Sequence, residues 1–306
     1  MEPEPPQMQV ASRYALLVFI WSTTPLAVVL SIRELHPVWA LALRFALAAP
    51  LAAFCLWMLG ERLPFHREAV KSYAAGMLSL LGAMLFTYLG AAYLPSGLIS
   101  LLFGLAPLFV GLLAHGVFRT QLLRAEQWLG MGMAFGGLVL IMQGGPHVAA
   151  QGKGVFLVLM GVFCYVASVF LLKHDKAKLH PLAQTTGSLL FSTVGMLLVL
   201  PFFAQSMPRA MPGWVTLTAL AYSVVMASVV AMLCYFFLVK ALPPATVSLT
   251  TFLTPALALV WGAWLNGERF TTVTVLGMAV IIAGLGTYFL RDLRAMRAAA
   301  RLTPVV

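Results

Sequence analysis

The sequence predicts an all-α integral membrane protein with ten transmembrane helices in two inverted five-helix repeats, with both termini in the cytoplasm. Three observations predict this fold: an apolar composition, ten apolar stretches divided by basic loops, and a motif that occurs once in each half. Hydrophobic residues make up 61% of the chain, charged residues only 9%, and the mean hydropathy is +0.95. Because a soluble domain carries about 25% charged residues, this composition cannot cover a water-facing surface.

The ten apolar stretches define the predicted helices, since a helix crosses about 30 Å of hydrocarbon with about 20 residues. Charged segments or segments rich in Pro and Gly separate them. In chain order the predicted spans are 14–32, 39–60, 72–93, 96–118, 125–143, 154–173, 181–203, 214–239, 245–266 and 272–290. Residues 1–13, which are acidic and Pro-rich, are expected to form a disordered cytoplasmic tail, and residues 291–306 a basic cytoplasmic tail.

Positive charge predicts the orientation of these spans. With the N-terminus inside, fourteen Lys and Arg residues fall on the cytoplasmic side, and only Arg33, Lys153, Arg209 and Arg269 fall on the other. The remaining basic residue, Arg44, lies within a span. This bias favours cytoplasmic N- and C-termini, and termini on one side require an even number of spans.

A repeated motif relates the two halves of the chain. Residues 94–107 and 242–255 share six identities at an offset of 148, and residues 129–138 and 276–285 share five at an offset of 147. Because the motif recurs after five spans, matched helices enter the membrane from opposite sides. The halves, residues 14–146 and 147–290, are therefore expected to be inverted repeats, which favours a transporter with its site where the halves meet.

Several segments resemble a known family. The segments that carry the resemblance are FIWSTTPLAV (19–28), LALRFALAAPL (41–51), both Pro-centred blocks and residues 258–285. Together they resemble the EamA-type ten-helix members of the drug/metabolite transporter superfamily, over nearly the whole chain. The resemblance implies a multi-pass protein of the bacterial inner membrane. It further implies a secondary transporter, by family an exporter, which moves a small metabolite such as an amino acid by alternating access around a central cavity.

Hydroxyl residues and prolines share one face of the fourth and ninth spans. The fourth has Ser96, Ser100, Phe103 and Pro107 at helical spacing, and the ninth repeats this as Pro244, Ser248, Thr251 and Pro255. Prolines free backbone carbonyls, which a water-filled cavity can satisfy. We therefore predict substrate-binding roles for Ser100, Phe103, Ser248 and Thr251, and hinges at Pro107 and Pro255. The alternative is that these residues only allow close helix packing.

Arg44 is the one charge well inside a predicted span. An intramembrane charge is costly and normally faces protein or a water-filled path. One interpretation is that Arg44 binds a substrate carboxylate or phosphate. The alternative is that its long side chain reaches the outer headgroups or caps neighbouring carbonyls.

Further polar and aromatic side chains complete the predicted binding site. They lie on the first, third, sixth and eighth spans, and they are Trp21, Thr24, Tyr88, Tyr165, Ser168 and Tyr235. Trp21 is expected to stack on a planar substrate, although core packing is an equal alternative. Some of the others must serve as ordinary helix contacts.

Glycines in the fifth and tenth spans predict close helix contacts. Gly132 and Gly136 form a GxxxG motif, the spacing that lets two membrane helices approach closely. Packing within the bundle and a homodimer contact both stay open.

Apart from Glu126 at the very start of the fifth, no Asp or Glu lies within a predicted span, although proton-driven carriers commonly place a carboxylate near the midplane. The titratable candidates are His115 and Glu268, near the ends of the fourth and ninth spans. Glu268 belongs to the Gly-Glu-Arg turn with which such repeats usually end, whereas the first half has His115 and Gly116 without a Glu. Proton coupling is thus unsupported, and exchange or facilitated movement stays open.

Other function classes lack their usual signals. The sequence holds no HExxH, GxSxG, CxxC or P-loop motif, and its three cysteines lie in apolar spans, so we expect no enzyme, cofactor or metal centre. The net charge of +10 is spread over short loops, which favours anionic lipid headgroups over nucleic acid. The expected partners are a small-molecule substrate and the lipid bilayer. An integral membrane enzyme and a non-transporting assembly component stay as alternatives.

Overall fold

The computed structural model describes residues 7–116, 123–143, 148–173, 177, 179–242, 250–291 and 294. Every regular element within these ranges is helical, which confirms the predicted all-α class. The first half contains α1 (Gln7–Ser31), α2 (Pro37–Met58), α3 (Arg67–Met77), α4 (Ala83–Ala91), α5 (Ser96–Gly104), α6 (Ala106–Gly116) and α7 (Ala125–Gln143). The second contains α8 (Val148–Lys173), α9 (Pro181–Val199), α10 (Trp214–Tyr222), α11 (Ala231–Ala241), α12 (Thr250–Asn266) and α13 (Thr272–Tyr288).

Eight helices among the described residues are long and apolar enough to cross a membrane. Two shorter apolar helices, Leu253–Asn266 and Thr272–Tyr288, lie at the predicted ninth and tenth spans. The chain is therefore an integral membrane protein, while the count of ten spans and their inverted arrangement stay predictions.

The first helix begins earlier than the sequence predicts. It starts at Gln7 instead of residue 14, so residues 7–13 of the expected disordered tail are helical. This segment has no Pro or Gly to oppose a helix. The Arg13 guanidinium also lies 3.6 Å from the centroid of the Phe237 ring on α11, a cation–π contact that anchors the second turn of α1 to the second half.

The two predicted hinge prolines differ in their surroundings. The helix breaks at Leu105, between α5 and α6, and Pro107 is the second residue of α6. A proline lacks the N–H and crowds the carbonyl four residues back, so a break just before it is expected. In contrast, α12 runs without interruption through Pro255. Movement at either position stays a prediction.

Within the described residues, each half has one π-helical segment, which lies inside its third long helix. Leu78–Gly82 joins α3 to α4, and Ser223–Val230 joins α10 to α11. Shifting the first segment by the repeat offset of 148 residues gives 226–230, which lies within the second. Because π-helical turns in longer helices often occur at functional sites, this shared position draws attention to the space between them.

Glycines pack α7 directly on α13. A Cβ placed on Gly130 would lie 2.5 Å from the carbonyl oxygen of Gly284, and one on Gly137 would lie 2.5 Å from that of Gly277. Gly132 and Gly136 are exposed, with nothing within 4 Å of a Cβ built on either. The GxxxG pair therefore does not serve the α7–α13 contact, and the homodimer stays a prediction.

Other contacts also pair matching helices of the two halves. Besides α7 with α13, α2 packs against α9, and α5 packs against α12. Each of these helices thus meets its counterpart from the other repeat, as expected for elements near a pseudo-two-fold axis.

Candidate functional site

A cavity of about 210 Å³ lies where the two halves meet. Side chains of α1, α2, α4, α5, α8, α11 and α12 line it together with both π-helical segments. The lining residues are Trp21, Thr24, Pro25, Val28, Arg44, Ser79, Leu80, Met84, Thr87, Ile99, Ser100, Phe103, Gly104, Tyr165, Ala227, Met232 and Thr254.

Arg44 supplies the only basic side chain of this lining, and the described lining contains no acidic one. Its side chain is buried, with 3% of its surface exposed. The Nε atom donates a hydrogen bond of 3.1 Å to Oγ of Ser228 in the second π-helical segment. Nη1 lies 3.9 Å from the thioether sulfur of Met84, a weak acceptor. Arg44 therefore points into the protein rather than towards headgroups, against the interpretation as an interfacial anchor.

Aromatic rings form two walls of the cavity. One wall is Trp21, which packs against Tyr235 outside the lining with ring centroids 5.3 Å apart. The other is formed by Phe103 and Tyr165, which meet edge to face at 6.3 Å. These surfaces suit the apolar or planar part of a solute, because aromatic pairs prefer offset and edge-to-face contacts.

Three hydroxyl groups of the lining are oriented by their own helices. Thr24 donates to the Ile20 carbonyl at 2.6 Å, Thr87 donates to the Ala83 carbonyl at 2.7 Å, and Ser79 donates to the Gly76 carbonyl at 2.8 Å. With the proton used in this way, each oxygen keeps lone pairs for a donor on a solute. These hydroxyls therefore act mainly as acceptors.

The two halves contribute matching methionines to the lining. Met84 and Met232 lie 148 residues apart, at the repeat offset, directly after matching alanines, Ala83 and Ala231. Both methionines line the cavity. Their flexible, polarisable thioethers can adapt to solutes of different shape.

Six of the predicted site residues line the cavity together: Trp21, Thr24, Arg44, Ser100, Phe103 and Tyr165. Three others lie elsewhere. Tyr235 packs against Trp21 outside the lining, Tyr88 is fully buried without reaching it, and Ser168 donates at 2.6 Å to the Ala75 carbonyl, which ties α8 to α3. Ser248 and the side chain of Thr251 lie outside the described residues. Neither Pro107 nor Pro255 is part of the lining.

The sequence did not predict several of the lining residues, among them Ser79, Met84, Thr87, Met232 and Thr254. Two kinds of signal were available. Met84 and Met232 match at the same offset as the motif, and Thr254 precedes the predicted hinge Pro255. An isolated Met or Thr in an apolar helix, however, equally fits ordinary packing.

Two carboxylates link the halves at one end of the bundle, here called the α1–α2 end because it contains the turn between these helices. Gly267 adopts φ +62°, the left-handed conformation that often ends a helix, immediately before Glu268. The Glu268 carboxylate accepts hydrogen bonds from the backbone amides of Ser96 at 2.9 Å and Gly97 at 3.3 Å. It thus caps the N-terminus of α5, where a helix favours negative charge.

Glu34 forms the reciprocal link from the first half to the second. It accepts hydrogen bonds from the Gly213 amide at 2.8 Å and the Thr216 hydroxyl at 3.1 Å, at the start of α10. Nearby, Arg33 donates to the side-chain oxygen of Asn266 at the end of α12. Each half therefore caps a helix of the other at the α1–α2 end.

Comparisons with known proteins agree with a duplicated membrane transporter. The model of the EamA-like transporter family matches residues 13–143 and again residues 152–290. The chain therefore belongs to the EamA-like transporter family, which confirms the resemblance of its sequence.

Similar proteins carry transporter names. The uncharacterized inner membrane transporter YedA of Escherichia coli K12 is 24% identical over 269 residues, 87% of this chain and 86% of YedA. An uncharacterized transporter of Archaeoglobus fulgidus is 25% identical over 272 residues, 89% of this chain and 95% of that protein. A solved crystal structure has the same fold, with a TM-score of 0.65 over 93% of this chain and 98% of that chain, at 16% identity.

These findings define the class of the protein. It is a multi-pass inner-membrane protein and a membrane transporter, and its family and named relatives are transporters rather than enzymes.

Proposed function

We propose that the protein is a ten-span secondary transporter that exports a small organic solute, such as an amino acid or a related compound, by alternating access. The observation that carries this proposal is the cavity of about 210 Å³, to which both halves contribute. A solute in this cavity contacts Trp21 and Arg44 of the first half together with Tyr165 and Thr254 of the second. Movement of one half relative to the other therefore changes the site itself.

The pairing of matching helices supports an inverted arrangement of the halves. Contacts between α2 and α9, between α5 and α12, and between α7 and α13 each join equivalent elements. The two π-helical segments and the two methionines beside the cavity obey the same offset of 148 residues. A pseudo-two-fold axis in the membrane plane brings equivalent elements to a common site in this way.

The carboxylate links suggest how one end of the transporter opens. Glu268 and Glu34 hold helix N-termini of the opposite half at the α1–α2 end, which the charge bias assigns to the outer side. Rocking the halves apart at that end breaks these hydrogen bonds and opens a path from the cavity. The family resemblance implies export. The solute then enters the cavity from the cytoplasm and leaves it at the α1–α2 end.

Counterflow tests this proposal. The purified protein is reconstituted into liposomes preloaded with a mixture of metabolites, and uptake of each labelled metabolite from outside is measured. We expect counterflow for a subset of small organic solutes and its loss in Trp21→Leu, which removes a cavity wall. Trp57→Leu is the matched control, because Trp57 is 73% exposed near the C-terminal end of α2 and outside the lining. Absence of counterflow for every solute from folded, correctly inserted protein would refute the proposal.

A further inference from the structure

We infer that the transported solute is an organic anion, whose carboxylate, phosphate or sulfonate group binds the Arg44 guanidinium while its apolar body packs between the aromatic walls. This inference rests on the proposed function, because it assigns a substrate class to the same cavity. The guanidinium fork can donate two parallel hydrogen bonds to a pair of oxygens on such a group.

The first support is the lack of a countercharge. Ion pairs among the described residues join Lys71 to Glu68 and Arg291 to Glu126, and neither includes Arg44. Every Asp and Glu of the sequence except Glu126 lies outside the predicted spans, and Glu126, the second residue of the fifth span, is paired with Arg291. A buried cation without a partner is strongly disfavoured, so an anionic group entering the cavity gains an interaction that the protein itself leaves open.

The two carboxylates that link the halves already have hydrogen-bond partners. Glu34 and Glu268 accept backbone amides at the α1–α2 end, where they cap α10 and α5. Arg44 instead relies on a neutral hydroxyl, Ser228, and a thioether, Met84. Ser228 in turn donates its own proton to the Ser223 carbonyl at 2.9 Å, which orients its oxygen towards Arg44. This arrangement positions the guanidinium without neutralising it.

The second support is that only the first half contributes a charged side chain to the cavity. The position that matches Arg44 at the offset of 148 residues is Ser192, whose hydroxyl donates to the Ser188 carbonyl at 2.7 Å. The rest of the described lining is apolar, aromatic, hydroxyl or thioether in character. One cation in a lining that also contains Trp21, Phe103 and Tyr165 suits a solute with a single anionic group and an apolar body. The described lining contains no carboxylate to pair with a cationic solute, and Arg44 repels a second positive charge.

Matched probes that differ only in charge test this inference: 3-phenylpropionate as the anion, 3-phenylpropanol as the neutral compound and 3-phenylpropylamine as the cation. Phenyl phosphate and benzenesulfonate extend the anion series. Binding is measured in detergent as the ligand-induced shift of the unfolding temperature, and transport as counterflow in liposomes. We expect an anion to stabilise the wild-type protein and to support counterflow, with no comparable effect of the neutral compound or the cation.

Three variants separate a binding role of Arg44 from a structural one. Arg44→Gln is expected to weaken anion binding about tenfold or more, the loss typical of a charge-assisted hydrogen bond, and Arg44→Lys is expected to keep part of it. Ser228→Ala removes the hydrogen bond to Nε but retains the charge, so anion selectivity should persist. If Arg44 serves only as a structural tie, both Arg44→Gln and Ser228→Ala lower stability and neither changes the preference for charge.

The outcomes distinguish this inference from the proposed function. Anion binding that depends on Arg44, without counterflow of any probe or metabolite, supports an anion site in this cavity and refutes the proposed transport. Counterflow of neutral or cationic solutes with full activity in Arg44→Gln supports transport and overturns the inference. No stabilisation by any of the three anions also overturns it.

Discussion

The Glu268 carboxylate lies 2.9 Å from the backbone amide of Ser96, which is 172 residues away in the chain. This hydrogen bond joins the turn after α12 to the first turn of α5, and it crosses between the two halves. A Cβ on Gly262 would lie 2.5 Å from Oε2 of Glu268, so the glycine leaves room for this approach. The Gly-Glu-Arg turn of the second repeat therefore has a structural purpose, a cap on a helix of the first repeat.

Removing this cap should weaken the α1–α2 end. We expect Glu268→Ala to lower the free energy of unfolding by about 1 kcal/mol, the usual loss for a helix cap, and to increase labelling of a cysteine introduced near Ser96. Thermal unfolding in detergent and maleimide labelling in membranes measure the two effects. The matched control is Glu61→Ala, because Glu61 is exposed in the loop between α2 and α3. Equal results for both variants would contradict the role given to Glu268.

Two neighbouring glycines on α7 should differ sharply in their tolerance of a methyl group. A Cβ on Gly137 meets the backbone of α13, whereas one on Gly136 meets nothing within 4 Å. We expect Gly137→Ala to destabilise the protein by about 1–3 kcal/mol through overpacking, and Gly136→Ala to leave it unchanged or slightly more stable. Thermal unfolding of the two variants measures this difference. Equal destabilisation of both would indicate a general effect of replacing glycine and not a packing role of Gly137.

His36 should make stability depend on pH. Its Nδ1 accepts a hydrogen bond of 3.3 Å from the Val38 amide at the start of α2, which requires the neutral ring. Burial lowers the pKa of His36 in the folded protein, so the neutral form stabilises the fold. This contribution is complete above the unfolded pKa of about 6.5 and is lost as the pH falls through the lower folded value.

We therefore expect wild-type protein to lose more stability between pH 8 and pH 5 than His36→Asn, which keeps a capping side chain that does not titrate. His66→Asn is the control. His66 precedes α3 in the same way, but its side chain makes no capping hydrogen bond. If the three proteins respond to pH alike, the cap at His36 does not contribute.

The predicted orientation can be tested directly. Tags at the two termini, mapped by protease protection in inside-out and right-side-out vesicles, should both be cytoplasmic. Cysteines at the four basic positions of the opposite loops, such as Arg209 and Arg269, should react from the outside. Termini on opposite sides would contradict an even number of spans and with it the inverted repeats.

Much of the architecture could be predicted from the sequence, because a lipid environment requires long apolar helices. The predicted span 125–143 coincides with α7, and the break before Pro107 follows from the missing N–H of proline. The π-helical segments were not predictable, because they contain no local signal that sets them apart. They depend on neighbouring helices, as at Gly82, where a Cβ would lie 3.2 Å from that of Cys164 on α8.

The cavity was predictable in part for the same reason. Arg44 and Trp21 stand out chemically in an apolar chain, and both line the cavity. Tyr88 and Ser168 are residue types that suit a binding site equally well, but their side chains lie in contacts between helices. Which side chains reach the cavity depends on the rotation of each helix, and composition does not encode that rotation. Met84 and Met232 look like core residues until the structure places them on the same cavity.

Filling the cavity tests the central claim most directly, namely that solute passes through the space between the two halves. Thr254→Trp places an indole in the lining, where Thr254 is 8% exposed, and Leu276→Trp places one on α13, where Leu276 is 58% exposed. Counterflow of a solute carried by the wild type should be abolished in Thr254→Trp and retained in Leu276→Trp, with both proteins folded. Undiminished counterflow in Thr254→Trp would contradict the account.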